Sequence, residues 1–188
     1  MSKKAVVFLA EGFEEIEAVT VVDVLRRAKV DVITVGLQSP VVGSRALKVV
    51  PDMEIADLPG DADAYILPGG MPGAANLASS NQVGKLITAA AKTGKIIAAI
   101  CASPAVILGP LGLLTGKKVT CYPGMENKLP ADAVMISDDV VVDGNIITSR
   151  GPATALFFAL MLVEKLAGTD TAREVKNAVL ANSLSRAT

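Results

Sequence analysis

The sequence predicts an α/β protein in which a mainly parallel sheet is covered by helices on both faces. Short apolar runs that do not alternate with polar residues recur along the chain, which is typical of strands buried on both faces. Longer amphipathic runs stand between them, as in strand–helix–strand units. Apolar residues make up 51% of the 188 residues and charged residues 20%, a composition that indicates a globular chain with a substantial core.

The amino-terminal half begins with a predicted buried strand, Ala5–Leu9, and continues with a predicted helix, Glu14–Ala28. Glutamates stand at the start of that helix and two arginines at its end, which is the arrangement that the helix dipole favours. The next predicted elements are a strand over Val32–Leu37, a turn and short edge strand within Val41–Val50, a strand over Ala64–Leu67, and a helix over Gln82–Thr93 capped by Asn81.

The carboxyl-terminal half begins with the apolar strand pattern Ile96–Ile100, and Pro104 predicts the first turn of a helix shortly after it. The remaining predicted elements are a strand over Lys118–Cys121, a hairpin of Val134–Val142 and Asn145–Ser149, a helix over Ala153–Leu166, and a last helix over Thr171–Leu180 capped by Thr169. Because no linker or repeat interrupts this alternation, residues 1–188 are predicted to form a single domain.

Composition and charge exclude several classes of function. The 18 basic and 19 acidic residues give a net charge of −1, so there is no excess positive charge for nucleic-acid binding. The uncharged run Ile96–Leu114 is long enough for a membrane span, but prolines and glycines interrupt it. The apolar run near Met1 is too short for a secretory signal. We therefore expect a cytoplasmic protein with two free cysteines and neither a nucleic acid nor a membrane as partner.

Cys101 carries the strongest functional signal. It ends the run Ile96–Ile100, and two small residues followed by Pro104 predict a sharp turn from a strand into a helix. The positive end of that helix would lie behind the sulfur, so a lowered thiol pKa is expected. The alternative is an inert buried thiol, and Cys121, within a plain strand pattern, is interpreted in that way.

The chain contains no histidine, which excludes a Cys–His pair and leaves a carboxyl group, a tyrosine or water as the proton partner of Cys101. Glu17 is the candidate carboxyl because it stands on the more apolar flank of the first helix. Burial there would raise its pKa and keep it protonated, able to donate a hydrogen bond to a thiolate. Acidic residues in a first turn often only complement the dipole, and that interpretation suits Glu14 and Glu15.

The segment Pro68–Gly70 follows the predicted strand Ala64–Leu67 and is either a plain turn or a place where backbone N–H groups approach an oxyanion. Ligands of open α/β sheets bind at the carboxyl ends of strands, so this segment, Glu17 and Cys101 are expected to meet at one edge. There is no dinucleotide or phosphate-loop fingerprint. With no histidine and only two distant cysteines, we predict neither a metal nor a cofactor.

Four motifs occur in order over nearly the whole chain: Ala10–Glu17, Leu67–Gly70, Ala98–Pro104 and Thr148–Pro152. Together they resemble the ThiJ/PfpI superfamily, and more closely its DJ-one (parkinsonism-associated deglycase) branch. The resemblance implies a flavodoxin-like three-layer sandwich that forms a homodimer.

The resemblance also implies roles for particular residues. Cys101 would be the reactive, oxidation-prone nucleophile, with Glu17 as the protonated carboxyl beside it. Gly70 and Ala102 would supply backbone N–H groups to an oxyanion.

Three further residues are candidates for a pocket or an anion site. Arg27 and Arg45 match basic residues that the family keeps near its dimer seam, with ordinary solvated charge as the alternative. Tyr122 stands where many members carry a histidine. Because a tyrosine titrates near pH 10, less efficient proton transfer is expected at this position.

The resemblance implies two alternative functions. The first is a cofactor-free, glutathione-independent glyoxalase or protein deglycase that acts on small 2-oxoaldehydes or their adducts, with a part in the response to oxidative stress. The second is a redox-sensing, chaperone-like stress protein with little turnover, in which Cys101 is oxidised to sulfinic acid. A peptidase activity is disfavoured by the absence of histidine.

Overall fold

The computed structural model describes residues 2–59 and 61–183 of the chain. Its strands are β1 (Lys4–Leu9), β2 (Asp31–Gly36), β3 (Val41–Val42), β4 (Lys48–Val49), β5 (Met53–Glu54), β6 (Ala64–Leu67), β7 (Ile96–Ile100), β8 (Lys118–Val119), β9 (Val134–Met135), β10 (Val140–Asp143) and β11 (Ile146–Ser149). Its helices are α1 (Glu15–Arg27), α2 (Gly73–Ser79), α3 (Asn81–Lys92), α4 (Ala155–Ala167) and α5 (Thr169–Ala178).

A seven-stranded sheet in the order β10-β11-β7-β6-β1-β2-β5 forms the middle layer. All of its pairs are parallel except β10 with β11. After β1 the chain forms β2 on one side of β1, and it later crosses over to form β6 on the other side. The sheet therefore has its topological switch point between β1 and β6, where ligands of such sheets bind at the carboxyl ends of the strands.

Both faces of the sheet are covered, which explains why its strands do not alternate between apolar and polar residues. Along β1, Val7 packs into the core on one face with α1 and α4, while Phe8 packs into the core on the other face with α3. Leu25 and Phe158 are fully buried in the first core and Ile87 in the second. The predicted three-layer α/β sandwich is therefore confirmed.

Three predicted strands differ from the observed ones. The edge strand predicted within Val41–Val50 is instead the separate antiparallel pair β3–β4, and β5 forms the edge of the main sheet. The predicted run Val134–Val142 is divided: β9 pairs in parallel with β8 in a separate small sheet, and only β10 forms the hairpin with β11. The prediction was wrong here because the residues on both sides of Ser137–Asp138 are similarly apolar, and their pattern does not indicate that the two strands belong to different sheets. The predicted strand Lys118–Cys121 ends at Val119, so Cys121 lies in a buried loop.

The helix starts also needed correction. Ser80, and not Asn81, caps α3 by accepting a hydrogen bond from the Val83 amide at 3.3 Å. Thr169 is the first residue of α5 and not its cap. The helix predicted at Pro104 is a single π-helical turn, Pro104–Leu108. Among the described residues, no helix is long and apolar enough to cross a membrane.

Candidate active site at the Cys101 elbow

Cys101 lies directly after β7 in a left-handed backbone conformation, with φ of 66°. A residue other than glycine adopts this conformation only where its surroundings enforce it, and such residues are concentrated at functional sites. The Cys101 amide donates to the Ser149 carbonyl at 2.9 Å, and the Cys101 carbonyl accepts from the Tyr122 amide at 2.8 Å. The end of β11 and the loop after β8 therefore fix the elbow that the sequence predicts.

The segment Pro68–Gly70, here called the glycine loop, follows β6 and lies against the sulfur of Cys101. A side chain on Gly69 would clash, since a Cβ there would lie 2.6 Å from the Cys101 Cβ and 2.8 Å from the Glu17 Oε2. Gly70 has φ of 87°, the left-handed region that favours glycine. The amides of Gly70 and Ala102 both hydrogen-bond to the Cys101 sulfur. The structure thus brings together the three groups that the sequence places at this edge: the glycine loop, Glu17 and Cys101.

Glu17 lies in the first turn of α1 and is fully buried, with 0% of its surface exposed. Its Oε2 accepts a hydrogen bond from the Gly69 amide at 2.7 Å, and its carboxyl group is also hydrogen-bonded to Cys101. Its other oxygen, Oε1, has no hydrogen-bond partner among the described residues. A buried carboxylate with an unsatisfied oxygen is costly, so the environment favours the protonated form.

The electrostatics of the pair follow from this burial. Burial raises the pKa of the Glu17 carboxyl to about 7, and the charge of Glu14 adds to the rise. Burial, followed by the charge of Glu17, raises the pKa of the Cys101 thiol to about 12, while the amides of Gly70 and Ala102 act to lower it. The sequence-based expectation of a lowered thiol pKa is therefore wrong. A single π-helical turn behind the sulfur does not offset its burial.

Glu17 and Cys101 are therefore best described as one unit that loses its first proton near neutral pH. In the ionised unit, the thiol donates its hydrogen bond to the Glu17 carboxylate. A carboxylate with a pKa of about 7 is well matched to act as a general base at neutral pH. Transfer of the proton to Glu17 would leave the negative charge on the sulfur, where the two amides stabilise it.

Glu14 contributes to this unit, which sequence reasoning missed by interpreting it as a dipole complement. It precedes α1, its amide donates to the Gly69 carbonyl at 3.0 Å, and its Oε2 lies 3.1 Å from the Ser44 hydroxyl. Its position two residues after Gly12, inside the motif Ala10–Glu17, is the only signal in the sequence that could have indicated a role.

Tyr122 lies beside the elbow and is 47% exposed. With Pro123, Arg150 and Pro152 it lines a pocket of about 310 Å³, and its ring packs on Gly151. The Tyr122 backbone thus borders the elbow, while its side chain lines a pocket whose lining includes neither Cys101 nor Glu17.

Arg27 and Arg45 do not form an anion site with each other within one chain. Arg27 lies in the last turn of α1 and pairs with Asp23 at 2.7 Å. The Arg45 amide donates to the Oε1 of Glu15, the first residue of α1, and its guanidinium donates to the Ser44 carbonyl. Because a helix rises 1.5 Å per residue, the two positions are about 18 Å apart. A shared anion site would require arginines of two protomers.

The match to a family model decides the classification. The DJ-1/PfpI family model matches residues 3–165. The chain belongs to the DJ-1/PfpI family. This confirms the resemblance of its four sequence motifs, and the fold agrees as well. The crystal structure of Drosophila melanogaster DJ-1beta superposes with a TM-score of 0.92 at 43% identity, covering 96% of this chain and 98% of that one.

Curated relatives add a named activity. The glutathione-independent glyoxalase DJR-1.2 of Caenorhabditis elegans is 37% identical over 172 residues, covering 89% of this chain and 91% of the relative. Protein DJ-1 homolog B of Arabidopsis thaliana is 44% identical over 175 residues, but the chain spans only 40% of its length.

Among residues 2–59 and 61–183, no cluster of His, Cys, Asp or Glu side chains could hold a metal ion.

Proposed function

We propose that the chain is a cysteine-dependent glyoxalase that uses neither glutathione nor a cofactor and acts on small 2-oxoaldehydes or on their protein adducts. The observation that carries this proposal is the buried unit of Glu17 and Cys101, in which a carboxyl with a pKa of about 7 is hydrogen-bonded to the thiol. The glyoxalase named among the relatives supports the same class of activity.

In the first step, the sulfur of Cys101 attacks the aldehyde carbon while Glu17 accepts the thiol proton. The C–S bond forms as the carbonyl π bond breaks, and the electron pair moves to the aldehyde oxygen. The amides of Gly70 and Ala102, which already point at the sulfur, would hold this oxyanion. Glu17 then gives its proton to the oxyanion, so the product of the step is a neutral hemithioacetal and Glu17 is again a carboxylate.

In the second step, the Glu17 carboxylate takes the proton from the former aldehyde carbon and delivers it to the neighbouring carbonyl carbon, while the hydroxyl proton moves from the first oxygen to the second. The first carbon is oxidised to a thioester and the second is reduced to an alcohol, so no external oxidant or reductant is needed. Water then cleaves the thioester, returns the proton to the thiol and releases a 2-hydroxy acid. Both steps use a single acid–base group, which suits a chain that contains no histidine.

The test is the release of D-lactate from methylglyoxal without glutathione. We expect sustained turnover beyond one equivalent per chain in the wild type and none in Cys101→Ser. A single burst of one equivalent, followed by no further product, would contradict catalysis.

The second candidate function is redox sensing with chaperone-like activity. The same observation favours it, because the Glu17 carboxyl and the two amides would stabilise the oxygens of a Cys101 sulfinic acid. The reducing cytoplasm expected from the sequence would keep Cys101 as a thiol between oxidation events. Mass spectrometry after mild peroxide treatment would test it: two added oxygens on Cys101, and not on Cys121, are expected, together with the single burst described above.

We further propose that the chain forms a homodimer through α1 and the β3–β4 segment. Ile16 and Val19 on α1 are 55% and 48% exposed, and Leu47 and Val50 near β4 are 48% and 74% exposed. The two regions are adjacent, since the Leu47 amide donates to Glu15. A cluster of exposed apolar side chains is typical of an interface. Sedimentation at micromolar concentration should show a species of twice 19.3 kDa, and only a monomer would contradict the proposal.

A further inference from the structure

We propose that Ser103 is a positioning residue that holds the glycine loop against the Cys101 elbow. Ser103 lies two residues after Cys101 and is fully buried. Its hydroxyl donates to the carbonyl of Pro68, the first residue of the glycine loop, at 2.5 Å. The bond links the loop after β7 to the loop after β6.

The backbone groups of the glycine loop show why its position matters. The Gly69 amide donates to Glu17, and the Gly70 amide donates to the Cys101 sulfur. The carbonyls of the same two glycines accept from Glu14 and Ala74 at 3.0 and 2.9 Å. The loop therefore supplies one donor to each member of the reactive unit, and a shift of the loop changes both.

Hydrogen bonds hold the two glycines of the loop, and its first residue, Pro68, depends on a different contact. Two of its three residues have no side chain to pack, and Pro68 has no N–H group. The Pro68 carbonyl is buried next to the elbow, where an acceptor without a donor is unfavourable. A serine hydroxyl offered from the elbow satisfies that carbonyl and fixes the distance between the two loops at the same time.

The inference rests on the reactive thiol of the proposed function, but it is measured on the thiol itself and does not require turnover. The variant is Ser103→Ala, which removes one oxygen and adds no bulk. The matched control is Thr34→Val, which also removes a buried hydroxyl group. Thr34 lies on β2, and its hydroxyl donates to Asp52 at 2.7 Å. In the sheet, two strands separate β2 from β7, so the control is remote from the elbow. Ser103→Thr retains the hydroxyl donor and serves as the conservative variant.

The readout is the pH profile of iodoacetamide alkylation at Cys101, measured with kcat and KM for methylglyoxal and with urea unfolding. In Ser103→Ala, the hydrogen bonds from the Gly69 amide to Glu17 and from the Gly70 amide to the sulfur should weaken. Because both bonds stabilise negative charge, the midpoint of the profile should move to higher pH. The value of kcat should fall between about 10-fold and 100-fold with a smaller change in KM, because the displaced amides act on the developing charge. Ser103→Thr should retain the wild-type midpoint.

Thr34→Val should lose stability but keep the wild-type midpoint and kcat. The inference is overturned if Ser103→Ala keeps both values of the wild type, whatever its stability, or if Thr34→Val shifts the midpoint equally. If wild-type Cys101 reacts no faster than Cys121 at any pH, the proposed function itself fails, and that result is distinct from a failure of the role of Ser103. Faster hydrogen exchange at the Gly69 and Gly70 amides in Ser103→Ala would support the inference independently.

Discussion

The two cysteines of the chain differ in their partners more than in their burial. Cys121 is 0% exposed and Cys101 is 9% exposed, and the residue after Cys121 bonds to the Cys101 carbonyl. The Cys121 sulfur lies 3.6 Å from the Tyr122 carbonyl, and burial followed by the charge of Glu126 raises its pKa to about 11. Cys101 instead has a carboxyl proton acceptor and two amide donors. Burial alone keeps a thiol protonated and unreactive. A neighbouring carboxylate that accepts the proton allows the sulfur to react as a nucleophile.

The largest expected effect separates the two thiols by substitution. Cys101→Ser should reduce D-lactate formation by more than about 10³-fold, because the hydroxyl is a much weaker nucleophile with the same base. Cys121→Ala should keep turnover within about 2-fold of the wild type, because among the described residues its sulfur bonds to the Tyr122 carbonyl and not to Glu17 or the glycine loop. Steady-state kinetics on both variants measure the difference. Equal losses in the two variants would remove the distinction between the cysteines.

The next largest effect removes the carboxyl and leaves the thiol. Glu17→Gln should lower kcat by roughly 10²- to 10⁴-fold, because an amide can neither accept the thiol proton nor move a proton between carbons. Its shape is nearly that of glutamate, so the fold should be retained. A variant with the kcat of the wild type would show that Cys101 has another base.

The same substitution should change how stability depends on pH. Folding raises the pKa of Glu17 from its ordinary value of 4.5 to about 7, so the folded chain binds this proton more tightly than the unfolded chain does. That stabilisation is fully present below pH 4.5 and is lost as the pH rises to 7. By linkage, it amounts to about 3 kcal/mol. The stability of Glu17→Gln relative to the wild type should therefore rise by about this amount between pH 4 and pH 8.

Glu15 offers a control of opposite sign. Hydrogen bonds from Ser44, Arg45 and Leu47 help to lower its pKa despite partial burial, so its stabilisation is present above its ordinary pKa and is lost as the pH falls. Urea unfolding of Glu15→Gln should show a loss of stability relative to the wild type at pH 8 that shrinks toward pH 3. The same trend in both variants would contradict the assignment of a raised pKa to Glu17.

The smallest effect is expected at Tyr122. Its half-exposed side chain lines a pocket whose lining includes neither Cys101 nor Glu17, and a tyrosine is a poor base at neutral pH. Tyr122→Phe should therefore change kcat for methylglyoxal by less than about 3-fold, within the range of ordinary surface substitutions. A much larger loss would place Tyr122 in the proton transfer and would weaken the assignment of both steps to Glu17.

Much of the fold could be predicted because its signals are local. The strands β1, β6 and β7 are continuous apolar runs, and their observed ends lie within one residue of the predicted ones. The helix α2 was missed because it is short and lies just after Pro72, in a segment of small residues. The division of the predicted strand Val134–Val142 was missed because pairing partners are not encoded locally.

The residues of the candidate site could be predicted from the sequence, but the direction of the thiol pKa shift could not. Cys101 and Glu17 were identified from their motifs, and the structure brings them into hydrogen-bonding contact. The direction of the thiol pKa was wrong because it depends on how deeply the tertiary fold buries the sulfur. Ser103 drew attention only as a small residue in a turn. Its bond to Pro68 joins positions 35 residues apart, which no local pattern reveals.

The central claim is that Cys101 and Glu17 act as one unit that loses a proton near neutral pH. The most direct measurement is the pH profile of iodoacetamide alkylation at Cys101, in the wild type and in Glu17→Gln, with Cys121 in the same molecules as the internal reference. The claim predicts a midpoint near pH 7 in the wild type, an upward shift past pH 8 in Glu17→Gln, and slow reaction of Cys121 throughout. The same midpoint in both proteins, or Cys101 reacting no faster than Cys121 between pH 5 and pH 8, would contradict it.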